Sequence, residues 1–408
     1  METKHYILDS FSVENYLSIK DKQTIFFDSK VKSFYGANAS GKTNIYKAMM
    51  NVRRFIKESA NPSSHGTPFA PFLLSDSTAN KPSSFSFTFH CPQDNTSYSY
   101  SFSATTNKIV EEEMYDLSSS RARLIFKRSN GSTDSTTRNG FNKKMFEGNE
   151  SVRDDSLLIT FARSTKNPYA KAVYEAMRNI NYLDLSIIGK FRGKAIHILQ
   201  EHPEYHTQLS NLFKEADFPI NNFSYNVTKI TPDLLAGSPF NEEVKQRLLQ
   251  IGESIAVETT HTVRNESGDK IDSIIFDMDT QESLGTNNFF NIAVAILDTI
   301  NNNKVLYIDE FGASMHTDLC KFIITYFLNH SKNNDAKLII NTHDIGLIKN
   351  GSLGILTSEN IMIVEKDRLD GTTITPLKER MHRADDNVGK KYALGVYGGV
   401  PILSEVTE

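Results

Sequence analysis

Cysteine is scarce in this sequence. Cys91 and Cys320 are the only two, and neither belongs to a C-x-x-C pair. Neither a disulfide framework nor a cysteine-rich zinc site is therefore expected, and a reducing cytoplasm is the default setting. Long apolar runs are also missing. None approaches the ~18 residues of a membrane-spanning helix, so no span is expected. The N-terminus mixes charged and apolar residues almost at once, unlike a secretory leader. Charge of one sign is limited too. The formal net charge is −4 over 408 residues, which argues against coating nucleic acid by bulk charge but permits a local basic face. With 39% hydrophobic and 23% charged residues, the composition is that of an ordinary globular protein.

Against these absences stands one clear pattern. Gly36-Ala37-Asn38-Ala39-Ser40-Gly41-Lys42-Thr43 fits the phosphate-loop signature G-x-x-x-x-G-K-[ST] at every fixed position. Val31 to Tyr35 reads as the strand entering the loop, and Asn44 to Met50 as the helix leaving it. Gly36 and Gly41 let the backbone turn so that the N–H groups around Asn38, Ala39 and Ser40 point into one hollow. The following helix adds the partial positive charge of its N-terminus. Lys42 is placed to reach the β- and γ-phosphates of ATP, and the Thr43 hydroxyl to coordinate Mg²⁺.

A second motif lies far downstream. Val305 to Ile308 is an apolar run ending in Asp309 and Glu310. It matches the Walker B pattern, in which Asp309 holds the Mg²⁺ shell opposite Thr43 and Glu310 orients and deprotonates the attacking water. Adjacent residues of a strand point to opposite sides, so the two acids are expected to do different jobs. Leu338 to Thr342 is a further apolar strand, ending at His343 and Asp344. Asn341 to Asp344 superficially imitates the guanine-reading N-K-x-D motif. It lacks the Lys, and Glu310 directly follows Asp309, so the ATPase reading is preferred.

Between these motifs, Tyr6–Val13 and Gln23–Phe27 read as a hairpin, and Ser63–Ser84 as a loop. Phe85–His90, Ser97–Ser103, Lys108–Leu117 and Arg123–Arg128 read as strands, and Ser129–Asn142 as a surface loop. The run Glu111-Glu112-Glu113 reads as a solvated edge. Residues from Leu157 to about Asp217 keep helical spacing with interruptions. Within them, Lys166, Lys171, Arg178, Lys190, Arg192 and Lys194 form either a DNA-facing surface or a plain solvated face. Asn222–Lys229 reads as a strand, Asn241–Ile251 as a helix, and Ser254–Val263 with Lys270–Asp279 as a hairpin.

The motif order resembles ABC-type ATPase heads of the SMC, Rad50 and RecF kind. It resembles in particular a bacterial family labelled AAA15, which includes RloA and AbiLi proteins of restriction-linked and abortive-infection loci. The motifs that carry it are Phe11–Ser18, Gly36–Thr43, Glu282–Thr286, Ile308–Glu310, Thr342–Asp344, Arg383–Asp386 and Lys391–Pro401. The resemblance implies that the hairpin covers the adenine and that His343 contacts the γ-phosphate and the attacking water. It implies that Ser283 and Gly285 form a variant ABC signature, although the segment alone reads as a helix N-cap. These two would then bind the γ-phosphate held by a second copy, and Phe311–His316 would cross that interface. No Q-loop glutamine is assigned: Gln93 lies between strands, but its neighbours Cys91-Pro92 and Asp94-Asn95 do not support that role.

The expected fold is therefore α/β: a P-loop ABC-type head with an N-terminal antiparallel β subdomain and a short inserted helical arm. Its segments are 1–155 (first half of the head), 156–240 (arm) and 241–408 (second half and tail). The expected ligands are ATP and Mg²⁺. The expected partners are a second copy in a head-to-head dimer or larger even assembly, and a separately encoded effector of the TOPRIM nuclease type in antiphage defence. A RecF- or SMC-like DNA clamp, and a nucleotide-locked scaffold with little turnover, remain alternatives.

Overall fold

A computed structural model describes residues 4–129, 132–133, 141, 152–186, 191–331, 335–350, 353–381 and 387–401. The chain divides into two compact units. One comprises Met1–Tyr182, Asn303–Phe311 and Leu328–Glu408; the other comprises Leu183–Asn302 and Gly312–Phe327.

The first unit opens with β1 (Ile7–Glu14), β2 (Gln23–Phe26), β3 (Val31–Tyr35) and helix α1 (Lys42–Glu58). Strands β4 (Ser83–Cys91), β5 (Thr96–Ala104), β6 (Ile109–Asp116), β7 (Arg123–Ser129) and the short β8 (Ser132–Thr133) follow. Seven of these strands form one antiparallel sheet in the order β2-β1-β4-β5-β6-β7-β8. Period-two alternation dictates its two faces. In β4, Phe85, Phe87, Phe89 and Cys91 point inward, while Ser84, Ser86, Thr88 and His90 are half-buried on the other face. Register places Phe85 opposite Phe102, Phe87 opposite Tyr100 and Phe89 opposite Tyr98. The rings of these pairs are 5.2, 5.4 and 5.5 Å apart, a cross-strand ladder that fixes the pairing.

Helices α2 (Leu158–Ser164) and α3 (Pro168–Arg178) pack into the same core. Asn167 caps α3 by accepting from the N–H groups of Tyr169 and Ala170, with Pro168 at the first position. The cap of α2 corrects the reading of the acidic run. Glu112 is completely buried and accepts from the N–H groups of Leu158 (2.7 Å) and Ile159 (2.9 Å) and from the Tyr100 hydroxyl (2.9 Å). Arg128 lies 3.7 Å away. Only Glu111 of the three is exposed. Of the expected surface loop Ser129–Asn142, Phe141 is buried, 4.4 Å from the Phe126 ring.

Strand β9 (Ile180–Asp184) interrupts the segment read as helical. Beyond it come α4 (Arg192–Glu201), α5 (Tyr205–Glu215), β10 (Asn222–Lys229), α6 (Pro232–Leu235) and α7 (Glu242–Ile251). Next are β11 (Glu253–Arg264), β12 (Lys270–Asp277), α8 (Met278–Gln281) and α9 (Leu284–Asn301). Strands β11 and β12 pair as the expected hairpin, and β10 joins them in one antiparallel sheet. Helix α9 is apolar nearly all round, and such a helix must be enclosed. It is buried from Thr286 to Thr299, with Phe289 against Phe213 and Phe218, and Phe290 against Phe223.

The remaining elements are β13 (Val305–Asp309), α10 (Thr317–His330), β14 (Lys337–Asn341), β15 (Ile361–Lys366), β16 (Thr372–Pro376) and α11 (Val388–Ala393). A six-stranded sheet runs in the order β16-β15-β3-β14-β13-β9, with β15, β3, β14 and β13 parallel. These central strands are buried on both faces, which is why they read as continuous apolar runs. Strand β14 separates β3 from β13, so the phosphate loop and the acidic strand end lie about 10 Å apart across the sheet. Among the described residues, no helix is long and apolar enough to cross a membrane.

Candidate active site

The loop leaving β3 adopts the backbone its glycines predict. Gly41 has φ 109° and Ala39 φ 63°, both in the left-handed region. A Cβ on Gly36 would lie 2.2 Å from the Val364 carbonyl oxygen and 2.7 Å from Ser40 Oγ; one on Gly41 would lie 2.1 Å from Thr372 Oγ1. The hairpin β15–β16 therefore presses against the loop from behind. The Thr372 hydroxyl donates to the Ser40 carbonyl at 2.8 Å and lies 2.8 Å from Ser18 Oγ. Asn44 in turn donates to Ser18 Oγ at 2.7 Å. Lys42 is buried, and its Nζ donates to the carbonyls of Gly36 (2.8 Å) and Ala37 (3.1 Å). Burial pushes its pKa down to about 8, against the opposing pull of Glu310 and Asp309. Ser40 Oγ is buried with no hydrogen-bond partner among the described residues.

The second cluster forms at the ends of β13 and β14. Ile308 pairs with Ile340 in register, so Asp309 and Asn341 are neighbours. Asp309 is buried and accepts a 2.6 Å hydrogen bond from the Asn341 side-chain amide. The same amide group accepts from the buried Tyr307 hydroxyl at 3.0 Å, which fixes its orientation. Glu310 leaves the strand with φ 56°, so its carboxylate is not a continuation of the pleat. His343 is exposed by surface area, yet its pKa is lowered, first by partial burial and then by the charge of Lys42, with Asp309 opposing. Lys42, Asp309, Glu310 and His343 thus share one electrostatic neighbourhood in the first unit.

Ser283 and Gly285 belong to the second unit. Ser283 caps α9, accepting from the Thr286 N–H at 3.0 Å. A Cβ on Gly285 would approach the Ser314 carbonyl oxygen to 3.0 Å, and Asn288 donates to the Ala313 carbonyl at 3.3 Å. The start of α9 therefore holds the Gly312–His316 part of the loop read as interfacial. Glu282, which stands where the common signature has leucine, accepts from Thr259 at 2.5 Å and lies 2.7 Å from His261 Nε2.

Other expectations are revised. Arg192 is buried, pairs with Asp279 at 3.2 Å, donates to Asn287 and stacks 5.2 Å from the Phe290 ring. It cannot belong to an exposed basic face. Lys166, Lys171 and Arg178 are exposed; Lys190 lies outside the described residues, as do Arg383–Asp386. Gln93 sits exposed in the β4–β5 turn, accepting from the His5 N–H. The tail is a short helix followed by glycine turns. Tyr392 is buried with its ring 5.5 Å from Tyr35, and its hydroxyl donates to the Gly399 carbonyl. A Cβ on Gly399 would lie 3.6 Å from Gly36 Cα, so the tail packs behind the phosphate loop. Thr372 and the bracing roles of Ser18 and Asn341 were missed by sequence reasoning. The apolar run Ile361–Val364 was the available signal for the hairpin that carries Thr372.

The sequence from residue 33 to residue 349 matches the family model described as "AAA domain, putative AbiEii toxin, Type IV TA system". The chain belongs to that family. The α/β class expected from the motifs is the class found, a largely parallel sheet together with antiparallel ones. No curated protein matches the sequence. Among solved structures, the chain is similar to an SMC head bound to the C-winged helix domain of ScpA, at 12% identity and a TM-score of 0.47, covering 92% of this chain and 100% of that one. It is similar to the SMC head domain from Thermotoga maritima at 11% identity and a TM-score of 0.42, covering 91% and 98%. A third is an SMC head with extended coiled coil bound to the C-terminal domain of ScpA derived from Pyrococcus furiosus, at 12% identity and a TM-score of 0.43, covering 92% and 97%.

Proposed function

We propose that the chain hydrolyses ATP, with Lys42 and the loop amides on the phosphates, Glu310 as general base and His343 positioning the attacking water. The observation that carries this reading is the convergence of Lys42, Asp309, Glu310 and His343. The loop fits a phosphate chain: Lys42 now satisfies its ammonium on carbonyls of its own loop, and Ser40 Oγ is a buried hydroxyl awaiting a partner. A carboxylate and a hydroxyl suit Mg²⁺, which takes few protein ligands and completes its shell with phosphate and water. Asp309 and Thr43 would hold it, and Mg²⁺ bound there would neutralise charge on the phosphates. Glu310 accepts a proton from water as the water oxygen attacks the γ-phosphorus, and the bond to the β–γ bridging oxygen breaks to release ADP. His343, held neutral by its lowered pKa, keeps an N–H to donate.

In this proposal Ser283 and Gly285 of a second copy close the site, so ATP joins two heads. A cytoplasmic role in antiphage defence, beside a separately encoded effector such as a TOPRIM-type nuclease, extends the reading. Its support is the motif resemblance and a family description that names a type IV TA system. The first experiment is phosphate release with Mg²⁺ and ATP by the wild type and Glu310→Gln. The wild type should turn over, and the variant should bind ATP without hydrolysing it. Equal turnover by both would remove Glu310 from the mechanism.

A further inference from the structure

Helix α1 starts at the phosphate loop, and its far end carries a buried donor that the ATP site does not use. Among the described residues, Arg53 Nε is enclosed and has no hydrogen-bond partner. The Arg53 guanidinium lies 5.8 Å from the centroid of the Tyr182 ring, whose hydroxyl is likewise buried and without a partner among the described residues. Guanidinium nitrogens are rarely buried without an acceptor, because the desolvation is then uncompensated.

A pocket of about 200 Å³ opens beside this group, lined by Arg53, Ile56, Lys57, Tyr174, Met177 and Arg178. Two helices supply it, α1 and α3. Ile56 and Met177 are buried and make an apolar floor, while Lys57 and Arg178 are exposed at the mouth. Arg163 does not line the pocket but packs its guanidinium on one lining residue, 4.0 Å from the Tyr174 ring centroid. Two carboxylates oppose the lining cations: Glu175 lies 3.3 Å from Arg178, and Glu58 lies 3.6 Å from Lys57. Arg53 has no carboxylate partner among the described residues, so the lining cations remain in excess.

A planar guanidinium over an apolar floor, flanked by further cations, matches the geometry of phosphate oxygens. We propose that this pocket binds a phosphate group, either as a free phosphate or nucleotide or as part of a nucleic-acid backbone. Arg53 stands 11 positions after Lys42 on one helix, about 16 Å along its axis, so the site is separate from the phosphate loop. The inference does not depend on the ATP reading.

The test is hydrogen–deuterium exchange on the full chain, with pyrophosphate and with a short single-stranded DNA oligonucleotide as separate probes. Segments 53–57 and 174–178 should be protected, and Arg53→Gln should weaken the effect about tenfold, as expected for losing one charge-assisted contact. Protection of 36–43 by ATP should persist in that variant, which separates failure here from failure of the ATP site. Arg178→Gln and Lys57→Gln, at exposed positions, carry the same test if Arg53→Gln does not fold. Protection by pyrophosphate alone assigns the site to free anions. Protection by the oligonucleotide, with a salt dependence that flattens by about one unit in the variants, assigns it to a backbone phosphate. No protection of either segment, or wild-type behaviour of all variants, overturns the proposal.

Discussion

Asn341 donates a 2.6 Å hydrogen bond to Asp309, and this bond joins two strands that are far apart in sequence. It holds the expected metal-binding carboxylate in one rotamer, because the amide is itself locked by Tyr307. Asn341 is a positioning residue in this account. Asn341→Ala should lower Mg²⁺-dependent ATP hydrolysis about 10–100-fold. It should also shift the Mg²⁺ concentration needed for half-activity upward while leaving metal-free nucleotide binding unchanged. A Mg²⁺ titration of both proteins checks this; a merely structural role would not move the Mg²⁺ requirement.

In the proposed reading, Lys42 gives the ATP site a pH dependence. Without nucleotide its pKa is depressed to about 8. Phosphate oxygens stabilise the ammonium, so the pKa must rise on binding. ATP affinity should therefore be full well below pH 8 and fall as pH rises through 8, by up to about tenfold per pH unit. Binding near pH 8 should take up a proton, which calorimetry in two buffers of different ionisation enthalpy will measure. Proton release would contradict the depressed pKa.

The loop should be sensitive to its bracing. Thr372→Val keeps the shape but removes the donor to the Ser40 carbonyl. A stability loss of about 1–2 kcal/mol is expected, with weaker ATP binding. Gly41→Ala should do worse, since a Cβ there meets Thr372 Oγ1 and the backbone stays at φ 109°. Urea denaturation and ATP titration of both variants test the ranking.

Much of this site could be read locally. The phosphate loop is eight consecutive residues whose spacing is its chemistry, and β13 shows Asp309 and Glu310 at the end of an apolar run. The partners of these residues could not be read that way. Asn341 reaches Asp309 only through parallel pairing of β13 and β14, and Thr372 reaches Ser40 across 332 positions. Arg192 was misread because counting charges along the chain ignores the fold that pairs it with Asp279. Glu112 was misread for the opposite reason. Its strand alternation, two residues before the buried Met114, already placed it inward, but three adjacent acids outweighed that signal.

Glu112 and Glu111 make a direct comparison. Glu112→Ala removes the cap of α2 and leaves Arg128 buried without its carboxylate, at an expected cost of about 3–5 kcal/mol. Glu111→Ala, at an exposed position, should cost about 0.5 kcal/mol or less. Equal stabilities in urea would show that the buried pair is not holding the β subdomain to α2.

The central claim is that ATP joins two copies through Ser283 and Gly285. The most direct measurement is the solution mass of Glu310→Gln with Mg²⁺ and ATP, with and without the further change Ser283→Arg. The account predicts a doubled or larger even-numbered mass for Glu310→Gln with ATP, the single-chain mass without it, and no ATP-driven increase once Ser283 is replaced. A mass unaffected by ATP while nucleotide is demonstrably bound would contradict it.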